Sequence, residues 1–170
     1  KPYPCIRAKR YNVPEKEAVS DTIWIKKVCK SYTSVPVLNN LSMSMTQGSR
    51  YLLMAPSGGG KTTLLKLLTG LENADSSEVS GMPAHIGMVF QEDRLCEEYD
   101  AVCNIMLGMK GTGMENTIEY VRQEAGKILP QECLTKPVRE LSGGMRRRVS
   151  LLRAVLSASD ILILDEPFTG

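Results

Sequence analysis

"MAPSGGGKTTLL", residues 54–65, sets Pro56 and three consecutive glycines between the apolar end of one segment and the leucine-rich start of another. The run before it, Arg50–Met54, follows the turn signal "TQGS" and reads as a short apolar strand. Behind it Leu64, Leu65, Leu67, Leu68 and Leu71 recur at helical spacing through residues 61–71, with Gly70 near the end. A strand, a glycine loop and a helix in that order let main-chain N–H groups point inward at the positive end of the helix, which suits a polyphosphate. Lys61 would reach the terminal phosphates, and the Thr62 hydroxyl would bind magnesium. Ala55 stands where the strict pattern has glycine, but that place asks only for a small residue, and the phosphate-facing Gly58, Gly59 and Gly60 are intact. By itself such a run is also compatible with a flexible loop, so the rest of the chain has to decide.

The totals bound the answer without naming a ligand. At 170 residues the chain can build one good core. Its 42% hydrophobic and 24% charged composition is that of an ordinary globular protein, and a net charge of +2 gives no ground for a nucleic-acid partner. The five cysteines, Cys5, Cys29, Cys96, Cys103 and Cys133, are odd in number and far apart, so they form neither a disulfide framework nor a zinc site and fit a reducing cytosol. The longest uncharged run, residues 31–49, is rich in Ser, Thr and Asn, so no membrane-spanning segment is expected. Residues 1–20 carry five basic side chains among three prolines without an apolar stretch, and read as a tail or linker rather than a secretory signal.

Ile23 and Ile25 alternate with polar neighbours, and in "LSMSM" Leu41, Met43 and Met45 alternate with Ser42 and Ser44, so both segments predict half-buried strands of an antiparallel layer. Ile86 to Phe90 reads as a further strand ending at "QED". Residues 100–129 read as helical, with Asp100 as a cap and Ile118, Val121, Ala125, Ile128 and Leu129 on one face before Pro130. "LSGGM", residues 141–145, opens another helix. Its stripe is Met145, Val149, Leu152 and Leu156, which leaves Arg146, Arg147 and Arg148 as a solvated face. "ILILDEP" is a continuous apolar run closed by two acids, the pattern of a strand buried on both sides of a parallel sheet. Asp165 at its end would hold magnesium, and Glu166 would polarise an attacking water.

"LSGGM", its basic helix and "ILILDEP" resemble the signature and Walker B regions of ATP-binding cassette (ABC) ATPases, and "VFQED" at 89–93 resembles their Q-loop. With the Walker A loop the four blocks stand in the family's order across residues 22–170. The resemblance implies an α/β P-loop NTPase fold of the ABC type, with a parallel core sheet, an N-terminal antiparallel layer and a helical subdomain at about residues 95–145. It implies ATP and Mg2+ as cofactors. Ser57, Gly58, Gly59, Gly60, Lys61, Thr62 and Thr63 become phosphate contacts, Gln91 the sensor of magnesium and the γ-phosphate, Asp165 the magnesium aspartate and Glu166 the catalytic glutamate. Tyr32 is placed like the aromatic residue that stacks on adenine, or is an ordinary tyrosine. Ser142, Gly143 and Gly144 match the signature, which addresses ATP on a second nucleotide-binding domain in a head-to-tail dimer, although the same residues could simply cap a helix.

The expected function is that of a transport ATPase that drives membrane permease subunits from the cytoplasmic face of the cell membrane. "VFQEDRLCEEYDAVCNIMLG" looks like the nitrate, sulfonate and taurine importers, which makes the direction import. Met145 stands in place of the signature glutamine, a peripheral contact. The D-loop and switch histidine belong beyond Gly170, and His85 precedes the Q-loop, so residues 21–170 read as a C-terminally incomplete domain that turns ATP over weakly or not at all by itself. Three other readings stay open. A P-loop kinase has no need of "LSGGM" before "LDEP"; a chromosome-associated ABC ATPase needs a long coiled coil between Lys61 and Leu141; a non-catalytic ATP-binding module would keep the loop without turnover.

Overall fold

The computed structural model describes residues 7–11, 22–109 and 114–167. The chain divides into two compact units, Lys1–Met82 and Pro83–Gly170.

The first unit is built on a long hairpin. β2 (Thr22–Tyr32) and β3 (Val35–Thr46) pair antiparallel with Ile23 opposite Met45 and Ile25 opposite Met43, and β5 (Val79–Ser80) joins the other edge of β2. Ile23, Ile25 and Met45 are buried, as their alternation requires. The strands run longer than the alternation suggested because Thr33 and Ser34, both at positive φ, close a tight turn that neither residue type advertises. β4 (Arg50–Met54) has the expected limits and pairs antiparallel with β1 (Arg7–Tyr11), Arg7 opposite Met54 and Tyr11 opposite Arg50. The reading of residues 1–20 as an irregular tail is therefore corrected over residues 7–11; backbone pairing outweighs their basic composition, and the remainder lies outside the described residues.

α1 (Lys61–Leu68) buries Leu64, Leu65, Leu67 and Leu68, each contributing on the order of 2 kcal/mol. It stops short of Leu71, where the spacing would have carried it. Gly70 takes φ 71°, its N–H donates to the carbonyl of Leu67 and that of Leu71 to Lys66, so a left-handed glycine closes the helix and leaves Leu71 exposed.

In the second unit β6 (Ile86–Val89) and β7 (Ile161–Leu164) pair in parallel, Ile86 beside Ile161 and Val89 beside Leu164. β7 is not buried on both faces as its composition implied. Ile163 is buried but Leu162 and Leu164 are 42% and 41% exposed, so apolar composition alone does not bury this strand on both faces. The helical stretch is divided into α2 (Ala101–Met106) and α3 (Met114–Gly126), with residues 110–113 outside the described ones. Asp100 caps α2, accepting from the N–H of Cys103 at 2.7 Å. Val102 and Ile105 of α2, Val121 and Ala125 of α3 and Val149 of α4 (Gly143–Val155) share one core, as the periodicity requires.

Asn104 is the polar centre of that core. Fully buried, it accepts from the N–H of Cys96 at 2.8 Å and donates to the carbonyls of Cys96, Tyr99 and Asp100 at 3.0–3.1 Å. It supplies the partners that the irregular segment 96–100 cannot find in a ladder. Asn104→Ala is expected to lower unfolding stability by about 3 kcal/mol, since buried main-chain groups lose their partners without gaining water; a denaturant titration that moves the midpoint by less than a third of that would refute the role.

Candidate functional site

In the first unit the glycine loop has the backbone its sequence demands. Gly58 and Gly60 sit at φ 72° and 85°, where a β-carbon is disfavoured, and the N–H of Gly59 donates to the carbonyl of Pro56 at 2.9 Å. A β-carbon on Gly59 would lie 2.8 Å from that of Ala55, and one on Gly60 would lie 2.9 Å from Leu38 and 3.1 Å from Val37. Ala55, the departure from the pattern, thus touches the space over Gly59, and its small side chain is what fits there. Lys61 folds back across the loop and donates to the carbonyls of Ala55 at 2.9 Å and Pro56 at 3.4 Å, which holds its ammonium among the loop's own atoms. Ser57 and Thr62 are exposed and Thr63 is buried.

The Tyr32 hydroxyl donates to Glu72, beyond the C-terminal end of α1. Lys30 lies 5.6 Å from its ring centre, and Lys66 donates to Glu72 at 2.9 Å. The Tyr32 hydroxyl, and after it Lys66, hold the Glu72 carboxyl below its ordinary range.

In the second unit the parallel pair brings three expected residues to one edge. The N–H of Asp165 donates to the carbonyl of Val89 at 2.9 Å, so Phe90–Gln91 and Asp165–Glu166 leave the carboxyl ends of β6 and β7 side by side. Asp165 is buried, Gln91 and Glu166 are exposed, and Glu166 takes φ 47°. Ser142 caps α4, accepting from the N–H of Met145 at 3.3 Å. Gly143 and Gly144 open that helix, and among the described residues nothing lies within 4 Å of where a β-carbon would stand.

Of the three consecutive arginines of α4 only Arg148 is exposed as their spacing suggested, while Arg146 and Arg147 are half-buried. Arg147 turns to the ends of β6 and β7 and donates to main-chain carbonyls there, among them Pro167 at 3.0 Å and Glu166 at 2.7 Å. Arg146 pairs with Asp93 at 3.5 Å and Glu97 at 3.4 Å, and Arg148 donates to the carbonyl of Ile128 at 3.0 Å. Their acceptors are backbone atoms and distant acids, which no local pattern displays.

The profile of a protein family described as ABC transporter matches residues 38–169. The chain belongs to the ABC transporter family. It is 34% identical over 162 residues to the Fe(3+) ions import ATP-binding protein FbpC of Yersinia enterocolitica, a match covering 87% of this chain and 46% of that protein. It is 36% identical over 141 residues to the taurine import ATP-binding protein TauB of Pseudomonas aeruginosa strain UCBPP-PA14, covering 78% and 54%. With the aliphatic sulfonates import ATP-binding protein SsuB 3 of Rhodococcus jostii RHA1 the identity is 37% over 147 residues, covering 84% and 52%. The chain thus spans about half the length of these curated relatives. MJ0796, a bacterial ABC transporter cassette whose dimeric structure is known, matches with a TM-score of 0.71 at 24% identity, over 85% of this chain and 74% of that one. The fold is that of the ABC-type P-loop NTPases.

The loop is constrained most tightly at Gly60. Gly60→Ala combines a disfavoured φ with contact against Val37 and Leu38, and is expected to cost about 1–3 kcal/mol of stability. Equal denaturation midpoints for the variant and its parent would show that the loop tolerates a side chain.

Proposed function

We propose that the chain is the ATP-binding and ATP-hydrolysing part of an ABC importer, coupling Mg-ATP to the passage of a solute through membrane permease subunits. The observation that carries this is the glycine loop: Gly58 and Gly60 at positive φ, no room for side chains at Gly59 and Gly60, and Lys61 laid across the mouth. A polyphosphate at the start of α1 would meet inward main-chain N–H groups, the positive end of the helix and the Lys61 ammonium together. Ser57, Thr62 and Thr63 would add hydroxyl donors. The names of the relatives, import ATP-binding proteins for iron, taurine and aliphatic sulfonates, support both the nucleotide and the direction.

The Thr62 hydroxyl, the Asp165 carboxylate and the Gln91 amide are hard oxygen donors of the type magnesium takes, and they are assigned to it. Bound magnesium would neutralise charge on the transferred phosphoryl group. Glu166, exposed beside Asp165, is assigned to orient and deprotonate the attacking water. Ser142, Gly143 and Gly144 are assigned to ATP held by a second nucleotide-binding domain, head to tail. The two glycines weaken the first turn of α4, and among the described residues nothing lies within 4 Å of where their β-carbons would be, so bare backbone there suits the close approach of an anion. Tyr32 is assigned to stack on the adenine, a contact that uses its ring face and not the hydroxyl bonded to Glu72.

Among the described residues no helix is long and apolar enough to cross a membrane. The spanning path is assigned to permease subunits, with this chain at the cytoplasmic face of the cell membrane.

Lys61→Ala is expected to weaken ATP binding at least about tenfold by loss of a charge-assisted contact, while Glu166→Gln binds ATP normally and loses about 100-fold or more in turnover. Calorimetric titration of this chain checks the first, and a phosphate-release assay on the complete protein checks the second. Unaltered binding by the lysine variant would remove ATP from this loop, and unaltered turnover by the glutamine variant would remove Glu166 from the base role.

A further inference from the structure

The side chain that connects the most candidate groups in the second unit is Arg147. Its side chain is only 15% exposed. Nε donates to the carbonyl of Pro167 at 3.0 Å. One terminal nitrogen donates to the carbonyls of Phe90 and Gln91, the latter at 3.3 Å, and lies 3.7 Å from the Asp93 carboxylate. The other donates to the carbonyls of Glu166 at 2.7 Å and Asp165 at 3.3 Å. Two loops are therefore gripped by one planar group, and the grip is on main chain, so it fixes the path of the backbone whatever the side chains do.

Only arginine can make this connection. Five N–H donors fan out in one plane, and here they are shared among five carbonyls on two loops; a lysine ammonium is a point with three donors and cannot reach both. The loops concerned are those that carry Gln91 and Glu166. Glu166 takes φ 47°, a conformation a glutamate does not prefer, and its own carbonyl accepts from Arg147. Arg147 itself lies in the helix that Ser142 caps, one turn beyond Gly143 and Gly144.

We propose that Arg147 is a positioning residue for ATP hydrolysis, a clamp that fixes the main chain at Gln91 and Glu166 against the helix that begins at Ser142. The proposal rests on the assignment of this chain as an ATPase. Arg147 touches no reacting atom; it sets where the two groups that would do so can stand. Displacement of the first turns of α4 would reach both loops through this one side chain.

The test is ATP binding and turnover by the complete protein carrying Arg147→Ala or Arg147→Lys. A positioning role separates the two readouts: ATP affinity stays within about threefold of the parent while kcat falls about tenfold or more in both variants. Millimolar guanidinium, added to the folded Arg147→Ala protein, is expected to recover part of the lost kcat, with the same concentration of urea recovering none; a general loosening of the fold would respond to neither. If Arg147→Ala does not fold, Arg147→Lys carries the test on its kcat. Parent-like kcat in Arg147→Lys, or a fall in affinity that matches the fall in kcat, overturns the clamp. Failure of the underlying assignment is separate: an unsubstituted chain that neither binds nor turns over ATP removes the ATPase reading, and the clamp with it.

Discussion

A main chain that must curl where side chains do not fit governs the first unit. Gly59 and Gly60 can come as close as they do to Ala55, Val37 and Leu38 only because they lack β-carbons, so the loop is seated against β3 as well as joined to β4 and α1. β3 in turn is placed by its register on β2, with Leu38 opposite Lys30, and α1 is placed by four buried leucines. A shift of register on the hairpin would move Val37 and Leu38 off the loop and turn buried side chains outward. Strand pairing, helix burial and loop geometry are therefore one arrangement.

The second unit solves a different problem. Its loops leave the ends of two parallel strands with carbonyls that have no ladder partner, and such groups must find donors elsewhere. The donors are arginines. Arg147 serves Phe90, Gln91, Asp165, Glu166 and Pro167, and Arg153 serves Arg94 at 2.9 Å and Asp93 at 3.1 Å. Asn104 does the same for residues 96–100. Three polar side chains on two helices hold the irregular stretch 90–100, and Arg147 also holds residues 165–167.

Much of this was legible in the sequence, and the reason lies in how local each signal is. β4, the start of α1, the Asp100 cap and the Ser142 cap depend on residues within one turn of each other, and each is where the sequence put it. The end of α1 misled because Leu71 continues the spacing although Gly70 has already reversed the chain. β1 was hidden because its strand character comes from a partner some forty residues later, not from its own alternation. Arg147 was hidden for a similar reason: three consecutive arginines point about 100° apart around a helix, and which of them turns inward depends on carbonyls that a sequence does not display. Gln91, Asp165 and Glu166 come together because they follow the ends of two paired strands, and the glycine-loop residues because they occupy one short segment. The hydrogen bond from Tyr32 to Glu72 joins residues forty positions apart, which no local pattern displays.

The bare opening of α4 has a consequence for anyone who improves this protein by selection. Gly143 and Gly144 are helical positions with empty space where a side chain would go, so alanine at either should raise the stability of the chain by up to about 1 kcal/mol. A thermostability screen would therefore enrich substitutions at the two positions where this helix leaves its backbone bare. Ranked by melting temperature alone, the best variants of this helix would be the ones that cover its first turn.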